Sequence, residues 1–353
     1  MHCSPYMEID HLHLYVDDAN HWRDWFIYNL NFDSVSPSPW HYPGAQVLQA
    51  AAIQLVLSSA ATSTVVADFL QAHTPGVGDL AFTVKDLDRW IARVTAAGGM
   101  VLRPIQHDPR WGRWCQVQGW GSLRHTLIER HCPLVPLPAT PDLPWQHIDH
   151  AVLNVPEGEL ALATDWYECA LGFRRQQSFA ISTPNSGLRS WVVKHPEGSA
   201  TFPINEPTSS TSQVQEFLDH HRGAGIQHAA LNTQNLVATV TALRQRGISF
   251  LPVPSRYYEQ LSQRPEFWVA ASDWAAIAQQ QILVDWAPET PRARLLQTFT
   301  EPLFPQPTFF LELIERQAQG PENQHQRAEG FGAGNFQALF EAIERQQQQR
   351  GNL

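Results

Sequence analysis

Glu312 stands in the middle of Thr308-Phe-Phe-Leu-Glu-Leu-Ile-Glu-Arg316, an apolar run that alternates like a strand. Read with period two, Phe310, Glu312 and Ile314 share one face and Phe309, Leu311 and Leu313 the other, so both faces are expected to be buried. An ionised carboxylate in such surroundings is costly unless a cation or a set of donors compensates it. An Arg or Lys across the sheet would do so, as would water at a sheet edge, and so would a metal ion. His150 and His228 strengthen the metal reading, because each lies in an apolar strand-like segment, Ile148-Asp-His150-Ala-Val-Leu-Asn-Val and Gly225-Ile-Gln-His228-Ala-Ala-Leu-Asn. Two imidazoles and one carboxylate on neighbouring strands form the facial set that binds Fe(II) and leaves adjacent positions open, as oxygen chemistry requires. A lone histidine on an apolar strand is usually a satisfied core residue. The inference therefore rests on the three together.

The elements that must position them occur twice. Ile9-Asp-His11-Leu-His-Leu-Tyr-Val matches the segment around His150, and Asp24-Trp-Phe-Ile-Tyr-Asn-Leu-Asn-Phe32 matches Asp165-Trp-Tyr-Glu-Cys-Ala-Leu-Gly-Phe173. Gly76-Val-Gly-Asp79-Leu-Ala-Phe-Thr matches the segment around His228. Two copies of one domain follow, each with its own core. Pro133-Leu-Val-Pro-Leu-Pro-Ala-Thr-Pro-Asp-Leu-Pro144 cannot hold a helix and reads as the linker, which places the boundary near residue 140. Each copy reads as two modules of a strand, a helix and further strands, an α+β arrangement. The helices are expected after a cap at Asn20, over Leu87 to Ala97 and over Leu236 to Arg246, with glycine turns at Gly98 and Gly247. Residues 255–289 have no counterpart in the first copy. A glycine-rich loop, Gly330-Phe-Gly-Ala-Gly-Asn335, then leads into a last helix that Asn335 can cap, with Phe336, Leu339, Phe340 and Ile343 on one face.

The repeat also supplies an internal control. His11 answers His150, but Asp79 stands in the place of His228, and Thr126-Leu-Ile-Glu129-Arg130 aligns in two registers that match Glu129 to Glu312 or to Glu315. The first copy reads as a domain that kept the fold and lost the metal.

Composition narrows the partners. Of 353 residues, 43% are hydrophobic and 16% charged, and the formal net charge is −10 with no basic block, which argues against nucleic acid or an anionic membrane as partner. No apolar run is long enough to span a bilayer, and the first residues lack the pattern of a secretion signal, so the cytoplasm is the expected location. Cys3, Cys115, Cys132 and Cys169 show no CxxC spacing, which leaves any metal to His and carboxylate. Oligomeric state stays open, a homo-oligomer included.

Leu188-Arg-Ser190, Pro203-Ile-Asn-Glu-Pro207, Ser212-Gln-Val-Gln215, Gly223-Ala-Gly-Ile-Gln-His228, Pro254-Ser-Arg-Tyr-Tyr258, Leu295-Leu-Gln-Thr-Phe-Thr300, Pro307-Thr-Phe-Phe-Leu-Glu312 and Gly330-Phe-Gly-Ala-Gly-Asn-Phe336 run in order along the second half. As a set they resemble the 4-hydroxyphenylpyruvate dioxygenase family of the vicinal oxygen chelate superfamily. The resemblance implies two tandem domains, 1–140 without metal and 141–353 catalytic, each of paired βαβββ modules in a half-open, barrel-like sheet, with a C-terminal lid helix. It implies Fe(II) on His150, His228 and Glu312, and conversion of 4-hydroxyphenylpyruvate and O2 to homogentisate and CO2. It implies that Ser190, Asn205, Gln213 and Gln297 orient substrate, and that Pro203, Phe299, Phe310, Phe331, Asn335 and Phe336 wall the pocket. Gln306, Ala333 and Glu329 depart from the family's usual Arg, Lys and Gly, all near the lid.

Three other readings compete. A 4-hydroxymandelate synthase would use the same iron and substrate but hydroxylate the benzylic carbon. An extradiol catechol dioxygenase would share the ligands and need a further acid-base histidine. A small-molecule sequestering protein of the same modules would need no ligand triad.

Overall fold

The computed structural model describes residues 6–35, 44–109, 111–264, 267–320 and 326–351; Cys3 lies outside them. The first half runs β1 (Met7–Val16), α1 (Ala19–Leu30), β2 (Asp33–Ser34), β3 (Gln46–Ala50), β4 (Ile53–Ser59), α2 (Thr64–Ala72) and β5 (Gly76–Val84). It continues with α3 (Leu87–Ala96), β6 (Val101–Asp108), β7 (Gly112–Gln118) and β8 (Arg124–Glu129). The second half runs β9 (Trp145–Asn154), α4 (Leu160–Leu171), β10 (Arg174–Ser182), β11 (Gly187–Lys194), β12 (Thr201–Pro207), α5 (Gln213–His221), β13 (Gly225–Thr233) and α6 (Leu236–Gln245). After it come α7 (Ser255–Leu261), α8 (Ala271–Gln279), β14 (Leu283–Trp286), β15 (Arg294–Phe299), β16 (Phe310–Arg316), the short β17 (Ala318–Gln319) and β18 (Gln326–Arg327), and α9 (Ala333–Arg350).

Each half forms one curled eight-stranded sheet, ordered β2-β3-β4-β1-β5-β8-β7-β6 in the first and β10-β11-β12-β9-β13-β16-β15-β14 in the second. The two modules of a half meet antiparallel, β1 on β5 and β9 on β13, and each central strand has a parallel neighbour outside it. This pseudo-twofold arrangement brings the first strands of both modules and the last strand of the second module side by side. His150, His228 and Glu312 are on those three strands.

The period-two reading of β16 holds. Phe309, Leu311 and Leu313 enter the large core, whereas Phe310 and Ile314 pack into smaller clusters on the opposite face. The large core does not divide into two. Leu87, Trp90 and Val94 of α3 share it with Leu160, Ala163 and Tyr167 of α4, so the expectation of a separate core for each half gives way to one continuous interior. The helices explain this: each lays its apolar stripe on its own sheet and against the helix of the other half, where Arg93 donates to the carbonyls of Cys169 and Glu168 at 2.8 Å each. His125 meets the Tyr167 hydroxyl at 2.9 Å across the same junction. The proline-rich residues 133–144 take no regular structure.

Two helix starts differ from the sequence reading. Asp18, not Asn20, caps α1, accepting from the amides of Asn20 and His21 at 2.9 and 3.1 Å. In α9 Asn335 lies inside the first turn, and its expected capping role falls to Asp285 of β14, whose Oδ2 accepts from the Gly334 amide at 2.9 Å. A tertiary carboxylate frees the Asn335 side chain for other partners. No described helix is long and apolar enough to cross a membrane.

Candidate metal centre

Strand register builds the site. Ala230 of β13 is flanked by His150 on β9 and by Glu312 on β16, and His228 lies two residues along the same strand. Directly paired residues share a face of the sheet. The methyl of Ala230 is therefore the only side chain between His150 and Glu312, and it leaves space there. One nitrogen of each histidine and one Glu312 oxygen lie within 4.8 Å of one another, all on buried residues, and they form the one such cluster among the described residues. Oε2 of Glu312 is 3.2 Å from His150 Nε2 and 3.5 Å from His228 Nε2.

The outer contacts aim the ligand atoms. His150 Nδ1 is 2.9 Å from Asp149 Oδ1, which leaves Nε2 as the inward atom. Arg316 holds Asp149 from the far side with two parallel bonds, 2.7 and 2.8 Å. Gln297 Nε2 donates to Glu312 Oε1 at 2.7 Å, so that oxygen is engaged and Oε2 faces the imidazoles. Phe310 stacks on His228, centroids 4.8 Å apart, and Phe331 meets His150 edge-on at 4.7 Å.

The electrostatics favour an ionised Glu312 facing the two imidazoles. Burial pushes the Glu312 carboxyl up, but His150 and His228 outweigh it and hold it down at about 2. Burial likewise opposes charge on His150, yet Glu312 and Asp149 raise it to about 9. His228, buried without a carboxylate on its outer nitrogen, is lowered chiefly by desolvation. His150 Nε2, although close to Glu312, makes no well-aligned hydrogen bond and is fully buried. Two imidazoles and one carboxylate around this unpartnered nitrogen are a donor set that fits a divalent borderline metal.

The remaining residues singled out in the sequence fall into three places. Ser190, Pro203, Asn205, Gln297, Phe299, Phe331 and Phe336 line the cavity over the triad, whose free volume is about 30 Å³. Gln213 and Phe310 line a neighbouring cavity behind His228, together with Gln227. Asn335 reaches neither; its Nδ2 donates to Gln297 Oε1 at 2.7 Å. Sequence reasoning missed Asp149, Arg316, Ala230 and Asn154, the last of which accepts from Asn205 at 3.2 Å. A signal for the first two existed: Asp10 and Arg130 form the same ion pair in the first half, at 2.6 Å, so the repeat carries both partners.

The first half answers its own question. His11 pairs with Ala81 as His150 pairs with Ala230, and the β5–β8 register sets Thr126, not Glu129, in the place of Glu312. Glu129 then matches Glu315, and each accepts from a backbone amide at the start of the helix earlier in its own module, Asp86 at α3 and Leu236 at α6. Asp79 is bonded to the Thr126 amide and to the Gln116 side chain.

This architecture is one of tandem β-sheet modules, the second carrying a candidate metal site, and comparison with known proteins places it in a family. Residues 8–119 and 147–264 each match the glyoxalase/bleomycin resistance protein/dioxygenase superfamily, and the chain belongs to it. Within that superfamily the 4-hydroxyphenylpyruvate dioxygenase of Caenorhabditis briggsae is 36% identical over 98% of this chain and 93% of its own. That of Danio rerio is 39% identical over 80% of this chain and 74% of its own. Among solved structures, a mutant of 4-hydroxymandelate synthase from Streptomyces coelicolor superposes with a TM-score of 0.83 at 27% identity, covering 98% of this chain and 100% of that one. The chain is thus a dioxygenase of the family to which these enzymes belong.

Proposed function

We propose that residues 141–353 hold Fe(II) between His150, His228 and Glu312 and convert 4-hydroxyphenylpyruvate and O2 to homogentisate and CO2, with residues 1–140 serving as a metal-free partner sheet. The observation that carries this reading is the convergence of two imidazole nitrogens and one carboxylate oxygen on a buried, unsatisfied centre. Bound there, Fe(II) would supply adjacent open positions for a keto acid and for oxygen.

The protein's own groups account for orientation and seclusion. Ser190, Asn205 and Asn154 form a row across β11, β12 and β9 by strand register. The Ser190 hydroxyl and Asn205 Oδ1 line the cavity and are buried without partners, so a hydroxyl and an acceptor wait there for a phenol. Phe299, Phe331 and Phe336 exclude water. The cavity as it stands has room for only a water or two, so Phe331, Phe336 and Leu339 must move to admit an aromatic acid.

The likeness to the mandelate synthase structure keeps benzylic hydroxylation as a second reading. Anaerobic loading with Fe(II), then 4-hydroxyphenylpyruvate, should give the charge-transfer band of keto-acid chelation, and oxygen should then yield homogentisate by NMR. 4-Hydroxymandelate as main product would transfer the assignment to the second reading; no band and no turnover would remove both.

A further inference from the structure

A single hydrogen-bonded chain runs from the insertion after α6, through the lid, to the carboxylate of the triad. The Tyr257 hydroxyl of α7 accepts from the Val284 amide at 2.9 Å and shares its one proton between the Val284 carbonyl at 3.0 Å and Asn335 Oδ1 at 3.2 Å, and Asn335 Nδ2 donates to Gln297 Oε1 at 2.7 Å. Gln297 Nε2 then donates to Glu312 Oε1 at 2.7 Å. Asn335, Gln297 and Glu312 are all buried. The amide orientations follow from chemistry: a carboxylate only accepts, so Gln297 must turn its NH2 to Glu312 and its oxygen to Asn335. Asn335 must then present NH2 to Gln297 and oxygen to the phenol. The carboxylate at one end sets this sense, and the hydroxyl at the other, which can donate or accept, conforms to it.

We propose that Tyr257 and Asn335 are positioning residues that couple seating of the lid to the geometry of the metal-binding carboxylate. The chain engages Oε1 of Glu312 and so dedicates Oε2 to the side of His150 and His228. The lid carries Asn335 within its first turn, and Asp285, held by Arg264 at 2.9 Å, ties down the adjoining Gly334 amide. When α9 is seated, Glu312 has one rotamer; when α9 lifts, the Gln297 oxygen loses its Asn335 donor and the carboxylate is free to turn. The first half has neither the insertion nor the lid, and no carboxylate at the matching position.

This inference rests on the proposed metal centre, so its test begins with metal uptake alone. Anaerobic titration with Co(II) at pH 8, followed through its visible bands, measures affinity and ligand geometry without turnover. Asn335→Asp inverts the sense of the chain, because an acceptor then faces the Gln297 oxygen. An added negative charge by itself draws a dication in more tightly; the relay requires the opposite, a Co(II) affinity weaker by about tenfold and a shifted spectrum. Tyr257→Phe, which keeps the ring and removes both the donor to Asn335 and the acceptor of the Val284 amide, should weaken uptake several-fold and speed hydrogen exchange in the first turn of α9. Unchanged or tighter binding with wild-type bands in both variants overturns the relay while leaving the metal centre standing. A wild-type chain that takes up no Co(II) overturns the metal centre and the relay with it.

Discussion

Thr126 donates its backbone amide to Asp79 at 2.8 Å and its hydroxyl to the other oxygen at 2.5 Å. These two bonds occupy in the first sheet the position that a cation would take in the second. A buried carboxylate needs compensation in both halves; one obtains it from donors of the chain, the other from imidazoles arranged for a metal.

Asp79→Ala is accordingly expected to be a stability variant only. The Thr126 amide and the Gln116 side chain would lose a buried acceptor, at a cost of about 3 kcal/mol in urea unfolding, while metal content stays at the wild-type value. Lost metal in that variant would place an ion in the first half instead.

Asp149→Asn should separate aim from ligation. The substitution weakens the clamp between Arg316 and His150 without touching a ligand, and about a 10- to 100-fold loss of metal affinity is expected in a chelator competition. An unaltered affinity would mean that packing alone orients His150.

Ala230→Val tests the space between the ligands. Extra methyl groups on the shared face should abolish metal uptake while costing only about 1–3 kcal/mol of stability. Metal bound at full stoichiometry, measured by atomic emission, would count against the register-based placement of the ion.

The junction between the halves should weaken in acid. His221, buried and stacked on His73 with centroids 4.8 Å apart, is pushed down from 6.5 to about 3, by burial first and by the neighbouring His73 second. His125, facing Tyr167, is pushed down to about 4 by burial. Between the ordinary and the folded values the unfolded chain takes up a proton that the folded one refuses, so this stability is present at neutral pH and is lost as pH falls below 6.5. Each unit of depression is worth about 1.4 kcal/mol. Urea midpoints should drop markedly from pH 7 to pH 5, and His221→Asn should flatten that slope; an equal slope in the variant would exclude His221 as a source.

Much of this was legible in the sequence because it is periodic or repeated. The alternation around Glu312, the two Ile-Asp-His segments and the glycine turns are local signals, and local sterics and burial are what strands, helices and turns read out. The trio His150, His228 and Glu312, which the fold brings together as a candidate metal site, could be picked out for the same reason: a histidine or carboxylate on an apolar strand is an anomaly visible in one dimension.

Register, caps from afar and the junction required the tertiary structure. Whether Thr126 or Glu129 answers Glu312 depends on which residues face each other across β5 and β8, and a one-residue difference in pairing changes the face. Asp285 capping α9 and Arg316 gripping Asp149 join residues far apart in the chain, so no spacing announces them. The common core of the two halves arises because apolar helix faces bury against whatever the folded chain brings to them. The amino-acid order states which surfaces must leave water, and only the packed chain decides where they go.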